Sequence, residues 1–328
     1  MEEPSTAAGP EKDMKAIAIR EFGGLDKLQV MDLPAPEAGP GEIRLRVKAA
    51  GVNPVDGKIR MGLLKERLPH VLPLIPGWDA AGTVDRIGVG VSLFKPGDEV
   101  YAYCRKSTVQ GGTYADYVTI PEAFAARKPA NLSFEQAAAV PLSMLTAWQC
   151  LFDAVQLRAG ETILVHAAAG GVGGYAVQLA RAAGAHVLAT ASSVNHAYVR
   201  ELGAEFVIDY TAEDFRAAVK RSHPEGLNVV FDCVGGDVLR KSPDVLCKGG
   251  RLVSILEPDV VRQIAERGIA AHYVFVSPNG AQLKRIAEMF EQGRLRPPPC
   301  KVLPLEQAAY AQELIETRHT RGKIVLVL

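Results

Sequence analysis

The chain has 328 residues, 48% of them apolar and 23% charged, which is enough for two domains that each bury a core. Lysine plus arginine and aspartate plus glutamate both number 37, so no charge excess argues for a nucleic acid or anionic-membrane partner. No uninterrupted apolar run reaches membrane-spanning length, and the opening "MEEPSTAAGPEKD" is polar and acidic, unlike a signal or transit peptide.

Residues 1–13 read as a flexible tail, with the fold starting near Met14. The first third then reads as strands. "KAIAIREF" and "EIRLRVKAAGV" alternate apolar with polar residues, and "PAPEAGPGE" punctuates them. "GWDAAGTVDRIGVGV", "GDEVYAYC" and "GTYADYVTI" continue the β-rich pattern between glycine turns. The texture changes at "NLSFEQAAAVPLSMLTAWQCLFDAV", which reads as helix with Ser133 as its N-cap. Short apolar strands and helices alternate from there: "TILVH" (162–166), "HVLAT" (186–190), "FVID" (206–209), "NVVFDCV" (228–234), "RLVSI" (251–255) and "HYVFV" (272–276). Such alternation predicts a parallel, doubly wound sheet, an α/β Rossmann domain. The helix "NGAQLKRIAEMFEQG" and the strand "KIVLVL" complete the chain.

Five cysteines (Cys104, Cys150, Cys233, Cys247 and Cys300) are scattered and form no C-x-x-C. They read as small buried hydrophobes rather than a disulfide framework, which fits a reducing cytoplasm. The histidines show no metal-ligand spacing, and His166 reads as a packed residue.

The motif with the most chemistry follows "TILVH". Ala168-x-Gly170-x-x-Gly173, with Gly171, Val172 and Gly174 beside it, joins a buried strand to the helical "YAVQLARAAGA". Backbone N–H groups and the positive helix end there would face a pyrophosphate. An NAD-type unit places Asp or Glu about 20 residues on, to hold the ribose 2′-hydroxyl. Here that position is near Ala191, followed by Ser192 and Ser193. Small residues and hydroxyls leave room for a 2′-phosphate, so NADPH is the expected cofactor; a weak or promiscuous adenosine site is the alternative.

These blocks, together with "AAGVNPVDGKIR" (49–60), "IPGWDAAGTVDRIG" (75–88), "GGTYADY" (111–117), "AAAVPLSMLTAW" (137–148) and "VVFDCVGG" (229–236), resemble the medium-chain dehydrogenase/reductase superfamily. More narrowly they resemble its zinc-free quinone oxidoreductase branch, which is similar to zeta-crystallin. The resemblance implies a GroES-like β-rich catalytic domain over residues 14–134 and 280–328, and a Rossmann NADP-binding domain over 135–279. It implies an active site between them and a homodimer joined at the edge strand "HYVFV". Zinc-dependent members carry metal ligands where this chain has Asn53, Trp78 and Leu142–Ser143, so the resemblance implies no metal. It places Asn53 and Thr146 near substrate and nicotinamide, Val234 and Gly235 behind the nicotinamide, and Tyr210 and Arg318 at the 2′-phosphate.

Several of these residues keep a plainer reading. Lys58 polarises a carbonyl or is a solvated helix residue. Asp56 starts a helix. The Thr146 hydroxyl bonds within its own helix, and Arg318 is a surface arginine. Without a Lewis acid, hydride transfer to an activated acceptor is easier than alcohol oxidation. The implied activity is therefore NADPH-dependent reduction of quinones or α,β-unsaturated carbonyl compounds. The alternatives are a 2-enoyl thioester reductase and a non-catalytic, crystallin-like NADPH-binding protein.

Overall fold

A computed structural model describes residues 13–328. The expected tail lies outside the described residues except for Asp13. Strands β1 (Met14–Ala18) and β2 (Gln29–Leu33) pair as an antiparallel ribbon. Then come β3 (Glu42–Val52), α1 (Pro54–Arg60), β4 (Asp79–Ile87), β5 (Glu99–Tyr103), β6 (Tyr117–Pro121) and β7 (Ala125–Arg127). The two final strands of the chain, β14 (Cys300–Pro304) and β15 (Lys323–Val327), join this group to make a seven-stranded sheet ordered β14-β15-β3-β4-β5-β7, with β6 paired to β3. Inside it Ile43, Leu45, Val52, Val100, Ile120, Ile324 and Leu326 pack together, as the alternating pattern requires.

The long helical stretch is not one helix. Pro141 has no N–H to donate, so it opens a second helix instead of extending the first. The stretch divides into α2 (Phe134–Ala138) and α3 (Pro141–Trp148), followed by a π-helical turn over Gln149–Ala154. Ser133 caps α2 as expected, accepting from Gln136 N at 3.2 Å.

The middle of the chain builds an all-parallel six-stranded sheet ordered β10-β9-β8-β11-β12-β13. Its elements are β8 (Thr162–Val165), α4 (Gly171–Ala182), β9 (His186–Ala191), α5 (His196–Leu202), β10 (Phe206–Asp209), α6 (Phe215–Ser222), β11 (Leu227–Asp232), α7 (Gly236–Lys241), β12 (Leu246–Ser254), α8 (Pro258–Glu266) and β13 (Ala270–Tyr273). Helices cover both faces, the doubly wound arrangement. Helix α9 (Gly280–Glu291) returns the chain to β7, and α10 (Ala308–Glu316) packs on α1.

Three strands of the parallel sheet differ from expectation by more than one residue; β12 starts at Leu246, five residues before the expected Arg251. The fourth ends at Asp232, because Asp232 folds its carboxylate back onto Val234 N and Gly235 N at 3.1 and 3.0 Å and bends the chain into a turn. The last strand is Ala270–Tyr273 rather than 272–276; Val274 N–H still donates to Ser254 O of β12 at 3.0 Å, and past it the Val276 carbonyl accepts from Arg105 of the β-rich domain. One continuous apolar cluster crosses between the domains, from Ile19, Trp78 and Tyr103 through Met144 and Leu145 to Val165 and Tyr175. The two walls of the cleft are thus held in place by shared core, at about 1.5–3 kcal/mol for each large apolar side chain buried.

Candidate active site

The glycine turn starts where β8 ends. His166 packs edge-on to Phe215 at 4.7 Å, with its ring nitrogens 3.2 Å from Thr190 Oγ1 and 3.3 Å from Ser242 Oγ. Burial pushes its pKa down to about 3, so it is a neutral packed residue. Ala168 is buried and its N–H donates to Thr190 O at 3.1 Å. Gly170 caps α4, Gly171 opens it, and Val172 packs on the shared core. A Cβ at Gly173 would collide with the Ala167 carbonyl oxygen, so the close helix–strand approach depends on glycine there. The free N–H groups of this twelve-residue helix face the carboxyl edge of the sheet, where a pyrophosphate fits.

At the outer end β9 stops at buried Ala191. Ser192 caps a short turn over Ser193–Asn195, its Oγ accepting from Asn195 Nδ2 at 3.2 Å. Tyr210 follows β10 and is largely exposed. The sequence reading missed Asp209. In register beside Ala191 on the neighbouring strand, it places a carboxylate near Ser193 and His196. Hydrogen bonds from Thr211, 2.9 Å from N and 2.6 Å from Oγ1, occupy it and hold its pKa low. Arg318 stands near Lys58, close enough to lower the lysine's pKa, whereas Arg321 lies over the Tyr198 ring of α5 at 5.6 Å. At the inner end Val234 is partly exposed, and Gly235 has φ +76 with the Glu257 carboxylate where a side chain would go.

The opposite wall is built from buried charge. Asn53 caps α1 and is 1% exposed. Its N–H donates to Asp56 Oδ2 at 2.8 Å and its Nδ2 to Asp79 Oδ2 at 2.8 Å. The Asn53 Oδ1 accepts from Lys323 Nζ, which also donates to Val52 O at 3.0 Å and lies 3.6 Å from Asp79 Oδ2. Asp79 Oδ1 accepts from Leu142 N at 2.7 Å, and Tyr114 OH donates to Asp56 Oδ2 at 2.9 Å. Burial pushes the Asp56 carboxyl up to about 7 against these bonds; burial raises Asp79 as well, with Lys323 opposing it. Lys58, on the same helix, is half-buried, and desolvation followed by Arg318 lowers its pKa. Thr146 Oγ1 donates to Leu142 O at 2.6 Å, the bond within its own helix.

Lys323 joins the two walls. Its side chain passes over Gly171, where a Cβ would come within 3.0 Å of Lys323 Cδ and 3.1 Å of Ser143 Oγ. The preceding Gly322 N–H donates to Ala169 O at 3.1 Å. Sequence reasoning missed Lys323 and Asp79. The available signals were a lysine opening the otherwise apolar "KIVLVL" and an aspartate closing "GWD".

A backbone phosphate cradle at the carboxyl edge of a doubly wound sheet, facing a polar wall from a β-rich domain, defines a two-domain dinucleotide-dependent oxidoreductase. Family descriptions agree: residues 39–130 match the alcohol dehydrogenase GroES-like domain and residues 202–326 the zinc-binding dehydrogenase domain. The chain is 35% identical to an NADPH-dependent alkenal/one oxidoreductase of Arabidopsis thaliana, over 96% of this chain and 80% of that protein. It is 32% identical to the quinone oxidoreductase of Sus scrofa, over 97% and 99%. The quinone oxidoreductase structure from Coxiella burnetii superposes with a TM-score of 0.88 at 35% identity, covering 97% of this chain and all of that one. The chain belongs to the medium-chain dehydrogenase/reductase superfamily, among its quinone oxidoreductase-like members, and takes a nicotinamide cofactor.

Zinc, implied by one family description, does not fit these residues. Asn53, Trp78 and Leu142–Ser143, the positions that the family resemblance gives to ligands, carry no zinc-binding side chain, and a protein ammonium bonds Asn53. Among the described residues no three His, Cys, Asp or Glu side chains gather to hold a metal ion.

Proposed function

We propose that the protein is an NADPH-dependent reductase that adds hydride to quinones and to the alkene of α,β-unsaturated carbonyl compounds, with no metal in the chemistry. The observation that carries this reading is Lys323: its ammonium is bonded to Asn53 where a catalytic metal would be bound, so the site serves acceptors that are already activated. The cofactor supplies hydride when bound. The chain's own residues bind and orient it: Gly170 to Gly173 hold the pyrophosphate, the Asp232-braced turn at Val234 and Gly235 backs the nicotinamide, and Ser192, Ser193 and Tyr210 offer hydroxyls to a 2′-phosphate. NADPH preference is supported by those hydroxyls, by the bonds that occupy Asp209, and by the alkenal/one oxidoreductase relative. We place the enzyme in the cytoplasm, consistent with five unpaired cysteines, and as a homodimer paired through the β13 edge.

The decisive measurement is NADPH absorbance decay with a quinone, an enone and a crotonyl thioester. Turnover of the first two above the third is expected. Faster reaction with the thioester would make the protein an enoyl thioester reductase. No turnover with any of them, alongside tight NADPH binding, would make it a binding protein.

A further inference from the structure

We propose that the Tyr103 hydroxyl and the Arg105 side chain receive the substrate's carbonyl oxygen, as a pair of fixed donors for the charge that forms there. The inference rests on the reductase reading above.

Tyr103 is the last residue of β5 and pairs in register with Asp79, the aspartate of the buried polar wall. Its ring is fully buried and meets Trp78 edge-on at 6.0 Å, and α3 packs against its strand. Its hydroxyl has no hydrogen-bond partner. The Tyr175 hydroxyl and Thr113 Oγ1 are also without a partner, whereas two tyrosines near Tyr103 are bonded. Tyr101, two residues earlier on the same face, donates to Leu283 O at 2.6 Å, and Tyr114 donates to Asp56. Buried hydroxyls are almost always bonded, and one left over marks a missing acceptor.

Arg105 supplies the second donor. Its guanidinium carbon lies 5.9 Å from the Tyr103 ring centre and 4.9 Å from that of Phe275. Its Nη2 donates to Val276 O at 3.2 Å, which fixes the group between the two domains. Its Nε is buried and has no partner either. Neither group has a well-formed bond, and the guanidinium lies close enough to the phenol oxygen to lean on it; an entering acceptor oxygen would accept a hydrogen bond from each. Burial raises the Tyr103 pKa far above neutrality, so the phenol keeps its proton. Asn53 is not available for this role, because Asp79 and Lys323 already occupy its carboxamide.

The chemistry matches. As hydride forms a bond to the β-carbon, the alkene's π pair shifts toward the carbonyl and its oxygen becomes an enolate. The Tyr103 O–H and Arg105 Nε–H donate to that oxygen from a buried seam, where fixed dipoles act most strongly. Water then protonates the α-carbon, and the carbonyl re-forms.

The test is Tyr103→Phe, with Arg105→Met and Arg105→Lys beside it. Tyr103→Phe is expected to lower kcat/KM for enone and quinone about ten- to a hundredfold, the worth of one such bond. NADPH affinity should be unchanged, and Tm should stay level or rise, because the hydroxyl removed has no partner in the fold. Arg105→Lys should retain more activity than Arg105→Met. 4-Nitrophenolate, a stand-in for the enolate, should bind more weakly to Tyr103→Phe by a similar factor. Unchanged kcat/KM and unchanged phenolate binding would overturn the proposal. A variant that loses Tm together with activity, or does not fold, would overturn it too, because the hydroxyl would then be structural. A wild-type protein that reduces neither substrate would refute the reductase reading instead, and the phenolate titration would still decide whether Tyr103 is an oxyanion donor.

Discussion

The two walls of the cleft solve different problems with different materials. The dinucleotide wall is mostly backbone: glycines, a helix end and a turn clamped by Asp232, with the carboxylates beside it occupied by hydrogen bonds. The substrate wall is side chain: Asn53, Asp56, Asp79, Tyr114 and Lys323, locked to one another in the interior. A backbone cradle needs space and direction, which a few short residues specify. A buried charge network needs every partner, because an ion left alone in low dielectric is costly.

Lys323→Met should separate the walls most sharply. It leaves Asp79 buried without its cation, and a loss of about 3–5 kcal/mol in unfolding free energy is expected by denaturant titration. Asp79→Asn in the same chain should restore part of that loss; if it restores none, the two residues are not coupled. Gly173→Ala tests the other wall. Its Cβ has no room beside Ala167 O, so the Kd for NADPH should rise at least tens-fold, with a smaller change in Tm. An unchanged Kd would mean that the cradle is not where the pyrophosphate binds.

Ala191→Asp probes the outer end of the same wall. A carboxylate there should repel a 2′-phosphate and offer the 2′-hydroxyl a partner. The NADPH KM should rise about tenfold or more while the NADH KM holds or falls, on the scale of a charge-assisted hydrogen bond. Equal effects on both cofactors would displace the phosphate pocket from this strand end.

Asp56 gives a smaller, pH-dependent signature. Its carboxyl titrates near 7 in the fold against an ordinary 3.8, so the folded state holds the proton more tightly than the unfolded chain. Stability from this group is complete below about pH 4, falls as pH rises through about 7, and is level above. Asp56→Asn should flatten that slope in thermal melts from pH 4 to 8. The smallest effect expected is none at all: chelator should leave enone reduction intact, and one equivalent of tightly bound zinc by elemental analysis would contradict that.

How much was legible follows the same division. The glycine turn, the parallel sheet and the β-rich first domain were readable because each is coded locally, by glycine spacing or by apolar alternation. The helix break at Pro141 had a local signal too, the proline itself, outweighed by the apolar run around it. Lys323 was invisible as a site residue, since it meets Asn53 across a separation of 270 positions that no local pattern records. Tyr103 and Arg105 read only as strand and turn. Their significance lies in partners they lack, and a sequence does not list unmade bonds. For Thr146 and His166 the sequence already offered the plainer reading of a hydroxyl bonded within its helix and a packed ring. Both are polar and stand at the site, yet each is satisfied inside the protein.

β15 sits between β14 and β3, near one end of the seven-stranded sheet, yet it is synthesised after every strand of the dinucleotide domain. While the ribosome makes residues 135 to 322, the Ala49–Val52 stretch of β3, beyond its pairing with β6, has an open edge, and Asn53 and Asp79 have no ammonium between them. The nucleotide-binding half can close on itself during that time, since its sheet borrows no strand from elsewhere. The catalytic half cannot. Its open edge is exposed to chaperones and to other nascent chains throughout. Catalytic competence therefore arrives last, in the step that inserts β15 and carries Lys323 into the gap.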